Sequence, residues 1–252
     1  MKPQSGQASD SVVLILLALA LWECAFLYAG DSAVSSPLQT LIYGASFVTR
    51  PSFWGHVEAT MLAFGYAAVI SIVTGVVLGL VLGLRRFAGD VAEPILVSLY
   101  TLPKITLYPV ILLIFGLGIP AKVAFGVIHG VIPVILFTQN AVKNIKPVLL
   151  RTARIMRLSG MQTITTVLAP SVAAELVTGV RAGFSLTLLG VLIGEMFASQ
   201  QGLGFLIVNG LSLHNVEMTT FVILVVVVFA LFANGLLLAI DRKFQRGRRD
   251  AT

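Results

Sequence analysis

Long uninterrupted apolar runs, separated by short polar and mostly basic stretches, set the pattern of this chain. A run of about 18 apolar residues is enough to cross a bilayer as a helix. Six spans are expected, near residues 12–29, 58–84, 94–117, 121–142, 172–198 and 219–240. The runs are continuous and do not alternate with a period of two, which argues against a transmembrane β-barrel. The expected fold class is all-α, a polytopic membrane helix bundle. Residues 1–252 form a single domain, because no polar segment is large enough to fold alone. Between 30 and 57, Ser35-Ser36-Pro37 and Arg50-Pro51 predict a loop carrying a short surface helix.

Small residues recur every fourth position inside these runs. Gly75, Gly79 and Gly83 share a helix face with Ser71, and Gly126/Gly130, Gly179/Gly183 and Gly190/Gly194 repeat the interval. Such stripes let helix backbones approach closely in lipid. They serve either packing within the chain or a contact between chains, and the pattern leaves both open. Gly116-Leu117-Gly118 and Gly202-Leu203-Gly204 echo each other without forming a repeat, and are read as helix-ending glycines.

Composition sharpens this picture. Charged residues are 11% and apolar residues 57%, far from a soluble domain, in which about a quarter of residues are charged. With the N-terminus inside, one side collects Lys2, Arg85, Arg86, Lys143, Lys146, Arg151, Arg154, Arg157, Arg242, Lys243, Arg246, Arg248 and Arg249. The other side has only Arg50 and Lys122, so both termini are expected in the cytoplasm. The basic excess is then a membrane signature and calls for no nucleic acid. The first run is longer than the apolar core of a cleaved signal peptide, and Trp22-Glu23 do not suit a lipoprotein site at Cys24. It is read as an uncleaved anchor. A lone cysteine excludes an internal disulfide and a cysteine-based metal cluster.

Ionisable side chains in or near spans are Glu23, Lys104, Arg181 and Glu195. A charge in hydrocarbon is expensive, so these are expected to face the bundle interior, a wet cavity or the interface. Lys104 follows Pro103 and precedes Pro109. A kinked helix lining a translocation path is one reading of it, and a structural ion pair or snorkelling lysine is the other. Arg181 is read as interfacial or paired with a neighbour such as Glu175. Glu195 either caps a loop or gates the path. His129 is expected to make a core hydrogen bond, and one histidine is no metal site, so no metal or cofactor is assigned. There is no Gly-x-x-x-x-Gly-Lys-Ser/Thr phosphate loop and no nucleophile–base or paired-carboxylate constellation, so no residue is assigned a catalytic role.

The segment from about 143 to 171 is the most informative. Arg151, Arg154 and Arg157 lie three apart along one side of a helix, with Leu149, Ala153 and Met156 on another. Ser159 and Gly160 should break that helix, and Pro170 should start the next. A basic loop drawn to anionic membrane lipid and a docking helix for a cytosolic partner are both compatible with this pattern.

In the residues Arg151-Thr152-Ala153-Arg154-Ile155-Met156-Arg157-Leu158-Ser159, with Gly160 following and Ala169-Pro170 at its end, the segment resembles the coupling motif of ABC importer permeases. That motif reads Glu-Ala-Ala-x-x-x-Gly. Gly190-Val191-Leu192-Ile193-Gly194-Glu195-Met196, Gln201-Gly202-Leu203-Gly204, Leu102-Pro103-Lys104 and Phe115-Gly116-Leu117-Gly118 are similar to the nitrate, sulfonate and taurine branch. The resemblance covers roughly 12–245 and departs at Arg151, Thr152 and Arg157. With arginine in place of the motif's glycine, the helix is expected to run on to Ser159-Gly160. The resemblance implies a type I importer permease of the bacterial inner membrane, working as a homodimer. It further implies separate cytosolic ATPase subunits, an external solute-binding protein and no ATPase site in this chain. It also implies a small anion such as a sulfonate or nitrate, or a thiamine-precursor-like compound, as substrate. The rival from another class, a self-sufficient secondary carrier or channel, needs midplane carboxylates and inverted repeats. Only Glu23, Glu175 and Glu195 offer themselves, and no repeat is visible.

Overall fold

In a computed structural model, residues 5–249 are described. Lys2 lies outside the described residues, as do the side chains of Arg242, Lys243, Arg246, Arg248 and Arg249. The described chain is all-α, without a strand. In order the helices are α1 (Ser5–Ala29), α2 (Pro37–Phe47), α3 (Pro51–Leu84), α4 (Arg86–Thr101), α5 (Tyr108–Phe115), α6 (Ile119–Lys143), α7 (Pro147–Ile155), α8 (Gly160–Thr163), α9 (Ala169–Ala198), α10 (Leu203–Ser212) and α11 (Val216–Arg249). A 3-10 turn covers Lys104–Leu107, and a π-helical stretch covers Ile164–Leu168.

Five of these segments are long and apolar enough to cross a membrane, and a bent pair supplies a sixth if counted as one span. That pair, Arg86–Thr101 with Lys104–Phe115, is folded by 89°. The expected continuous third span at 94–117 is therefore corrected to two short helices. Pro103 has no N–H to give and drives the residue before it out of the helical region, and Leu102 is extended at φ −63°, ψ 139°. The fifth span also differs. The helical run reaches back to Gly160, so Pro170, in the first turn of α9, is preceded by the π stretch and not by a loop. The π stretch just before Pro170 widens the helix where the proline ring would otherwise meet a carbonyl one turn back.

The surface helix expected between 30 and 57 is α2, fixed by a capping box. The Gln39 N–H donates to Ser36 Oγ at 3.2 Å, and the Ser36 N–H donates to Gln39 Oε1 at 2.9 Å. Its Phe47 joins Phe53, Leu206, Phe221 and Val222 in an apolar cluster. α3 starts at Pro51, a favoured first helical position. The short apolar α10 lies between the fifth and sixth expected spans, where the sequence predicted no helix.

α3, α6 and α9 form the centre, and the glycine stripes are where they touch. A Cβ on Gly79 would stand 2.8 Å from the Ile135 carbonyl, and one on Gly190 would stand 2.9 Å from the Phe125 carbonyl. Gly130 and Gly183 face each other's backbones across α6 and α9. The stripes thus serve packing within the chain. Gly116 ends α5, whereas Gly118 and Gly202, at φ +114° and +123°, precede α6 and α10. These last two start helices, which corrects their reading as helix ends. α1 stands apart, touching the rest mainly through Trp22, whose Nε1–H donates to the Ser35 carbonyl at 2.9 Å. Glu23 is exposed on α1 and does not face a bundle interior.

Candidate functional site

The basic segment folds as a short helix laid across one end of the bundle. Pro147 opens α7. Its inward stripe is the buried Ala153 together with Leu150, which with Leu168 packs against Ala141, Ile145 and Val172. Ala153 is only 3% exposed, while Ile155 is 82% exposed on the opposite side. Val148, Arg151, Thr152, Arg154 and Met156 are exposed as well. The grouping of Leu149, Ala153 and Met156 is corrected accordingly: Leu149 lies at the rim of the stripe, and Met156 follows the last helical residue.

α7 stops where the sequence suggested it would continue. Arg157 adopts φ +50°, its N–H donates to the Arg154 carbonyl at 3.0 Å, and the Leu158 N–H donates to the Ala153 carbonyl at 3.1 Å. This pair of bonds is a Schellman close, which satisfies carbonyls that the helix end leaves open. An arginine thus occupies the left-handed position that glycine usually fills. Ser159 immediately restarts the helix. Its Oγ accepts from the Gln162 N–H at 3.3 Å, and Gln162 Oε1 accepts from the Ser159 N–H at 2.9 Å. Leu158 is half-buried, and Gly160 is the first residue of α8.

At the opposite end lies a buried polar knot. Glu195 on α9 is fully buried and accepts from Thr60 Oγ1 at 2.8 Å and from the Gly204 N–H at 3.0 Å. Lys122 on α6 is 3% exposed, lies 3.5 Å from Glu195 and donates to the Gln201 carbonyl at 2.6 Å. Thr60 Oγ1 also accepts from the Leu203 N–H at 2.8 Å, and His56 Nδ1 accepts from the Gly202 N–H at 3.1 Å. Tyr108 donates to the Gly194 carbonyl at 2.6 Å. These bonds fasten the 199–204 loop to α3, α6 and α9 through one carboxylate. Glu195 thereby makes the loop contacts that its reading as a cap expects.

Lys104, Arg181 and Glu195 do not form one cluster. Lys104 is half-buried at the 89° bend, where its ammonium donates to the Tyr100 carbonyl at 2.9 Å and lies 5.4 Å from the Tyr100 ring centre. Arg181 is half-buried on α9, about 21 Å before Glu195 along the helix. Lys122, Thr60 and Gln201 escaped sequence reading. The signal available was an acid and a base each stranded near the same end of an apolar run. His129 is a hydrogen-bonded core histidine, its Nδ1 2.9 Å from the Phe125 carbonyl. Among the described residues no group of three or more metal-ligating side chains occurs.

The family model described as binding-protein-dependent transport system inner membrane component matches residues 71–246. The formylaminopyrimidine transport permease protein ThiX of Halalkalibacterium halodurans is 26% identical over 80% of this chain and 81% of its own. The nitrate import permease protein NrtB of Leptolyngbya laminosa is 25% identical, covering 78% and 73%. The taurine transport system permease protein TauC of Escherichia coli is 24% identical, covering 81% and 77%. A chain from the inward-facing MetNI methionine ABC transporter superposes with a TM-score of 0.64 at 18% identity, over 77% of this chain and 98% of that one.

Proposed function

From its membership of the binding-protein-dependent transport system inner membrane components, which makes this chain a membrane-embedded permease subunit of an ABC importer, we propose how it works and what it carries. Two copies form the translocation unit in the bacterial inner membrane, with both termini in the cytoplasm. Separate cytosolic ATPase subunits dock on α7, and an external solute-binding protein delivers substrate to the opposite end. ATP hydrolysis resides in those partners. The observation that carries this reading is the form of α7: a short helix anchored by Ala153 and closed at Arg157, with Val148, Ile155 and Met156 turned outward.

The coupling residues are Arg151, Thr152, Ala153, Arg154, Arg157, Leu158, Ser159, Gly160 and Pro170, in two tiers. Val148 and the exposed Thr152, Ile155 and Met156 meet the ATPase, and Arg151 and Arg154 flank that face. Ala153, the Arg157 turn and the Ser159 cap hold α7 to α8 and α9, so a push on the helix reaches the transmembrane segments as one body. Energy enters only if the ATPase binds two packings of the bundle with different affinity. Lys104 and Arg181 line the path, and their charge suits a small organic or inorganic anion such as a sulfonate or nitrate. A thiamine-precursor-like compound is the second reading, favoured by the similarity to ThiX.

The test is a pull-down of the tagged chain from its native cells. Recovery of a nucleotide-binding ATPase, lost on Ile155→Asp with unchanged yield of the permease, is the expected result. Recovery undiminished by Ile155→Asp would overturn the assignment of α7. Uptake of labelled sulfonate, nitrate and formylaminopyrimidine by cells carrying the complete system then separates the substrate readings.

A further inference from the structure

We propose that the cavity between the ends of α3 and α6 and the side of α7 binds a phosphate-type anion, with the headgroup of an anionic membrane lipid as the source its surroundings favour. The cavity holds about 350 Å³ and is lined by Arg86, Arg151, Arg154 and Lys143 over apolar walls that include Leu84 and Leu168. Lys143 is already engaged, by Asp90 at 2.7 Å and Glu93 at 2.9 Å. Among the described residues no ion pair engages Arg86, Arg151 or Arg154. Three guanidinium groups, one at the start of α4 and two on α7, therefore line one opening, and the nearby carboxylates of Asp90 and Glu93 are taken up by Lys143. Their planar forks match the oxygens of a phosphate, which can accept from two or three of them at once.

Position favours a lipid over free phosphate. The cavity lies where the apolar stretches of α3 and α6 stop, at Leu84 and Lys143, which is the depth of headgroups. Beside it Leu84 and Phe87 are exposed, 65% and 84%, and offer an apolar flank to acyl chains. A bound headgroup would tie α7 to the ends of α3 and α6. On the ATPase-docking reading, lipid composition would then set how firmly a push on α7 is transmitted. That consequence rests on the docking role, whereas the site itself does not.

The experiment is native mass spectrometry of the purified full chain in neutral detergent, titrated with phosphatidylglycerol or phosphatidylcholine. Phosphatidylglycerol is expected to be retained preferentially. Arg86→Gln/Arg151→Gln/Arg154→Gln should weaken that retention about a hundredfold, taking the usual contribution of a basic residue near an anionic surface for each of the three. The matching triple lysine variant should keep most of the preference, which separates loss of charge from loss of fold. A second arm titrates inorganic phosphate. Retention of phosphatidylglycerol against excess phosphate supports the lipid source, and displacement at the same arginines supports the site with free phosphate as its occupant. Equal retention of both lipids by the unaltered chain, or a phosphatidylglycerol preference that survives the triple glutamine variant, would overturn the proposal. The chain is assayed without an ATPase, so a negative result here leaves the docking reading untouched.

Discussion

Glu195 carries more of the structure than its single charge suggests. Burying an ion pair is costly, and it persists only where hydrogen bonds satisfy both partners, as Thr60, the Gly204 N–H and the Gln201 carbonyl do here. Removing one partner strands the other. Glu195→Gln is expected to destabilise the solubilised chain by about 3 kcal/mol, read as a fall in melting temperature. Glu195→Gln combined with Lys122→Met should recover a good part of that loss, since no ammonium is then left uncompensated. Additive losses would show that the two side chains act independently. Arg157 makes the opposite case. A non-glycine residue in the left-handed region costs about 1–2 kcal/mol, so Arg157→Gly should raise the melting temperature slightly. An unchanged or lowered melting temperature would show that the arginine side chain offsets its own strain. Neither behaviour was legible in the sequence. Glu195 and Lys122 are 73 positions apart, and nothing local pairs them. Arg157 stood where a glycine was expected, and the helix looked free to continue because a turn around an arginine needs the backbone bonds of its neighbours to hold it.

Among the elements, α7 separates two properties that one substitution would confuse. Ala153 faces the bundle and Ile155 faces away. Ala153→Asp places a carboxylate at a position only 3% exposed, and is expected to reduce the yield of folded protein in the membrane. Ile155→Asp adds its charge on the exposed side and should leave that yield intact. Comparing membrane yield and gel-filtration profile for the two variants checks this, and equal yields would mean that Ala153 is not structural. Placement of α7 itself was legible, because basic residues, a proline at its start and a short apolar stripe all agree. The spans were legible for a simpler reason, since apolar length alone specifies them. The 89° fold between α4 and α5 was not. Pro103 marks where the helix breaks, but the direction of the next helix depends on contacts such as Tyr108 with Phe125 and the Gly194 carbonyl. α10 was missed because ten residues cannot span a bilayer, and burial of Leu203 and Leu206 is a tertiary fact.

At the scale of the molecule, the glycine stripes and α1 divide the apolar surface into two kinds. The stripes of α3, α6 and α9 are consumed inside the chain, so a second copy would have to use other faces. α1 meets the rest of the chain chiefly near Trp22 and Ser35 and leaves Leu14, Leu21 and Leu27 exposed. Lipid can cover those side chains, but Glu23 is also exposed, and a carboxylate facing hydrocarbon is unfavourable. The proposed homodimer would give α1 a protein neighbour. The lone cysteine makes the state measurable without engineering, because Cys24 lies on α1 and is exposed. A nitroxide attached at Cys24 in the reconstituted chain should give one narrow intermolecular distance by electron double resonance if two copies associate symmetrically, since a closed two-fold pair has a single Cys24–Cys24 separation. Dilution with unlabelled chain should then reduce the amplitude of that signal without moving the distance. A background decay with no defined distance, at protein densities where the importer is active, would mean that α1 has no fixed place against a partner, and the homodimer proposal would fail with it.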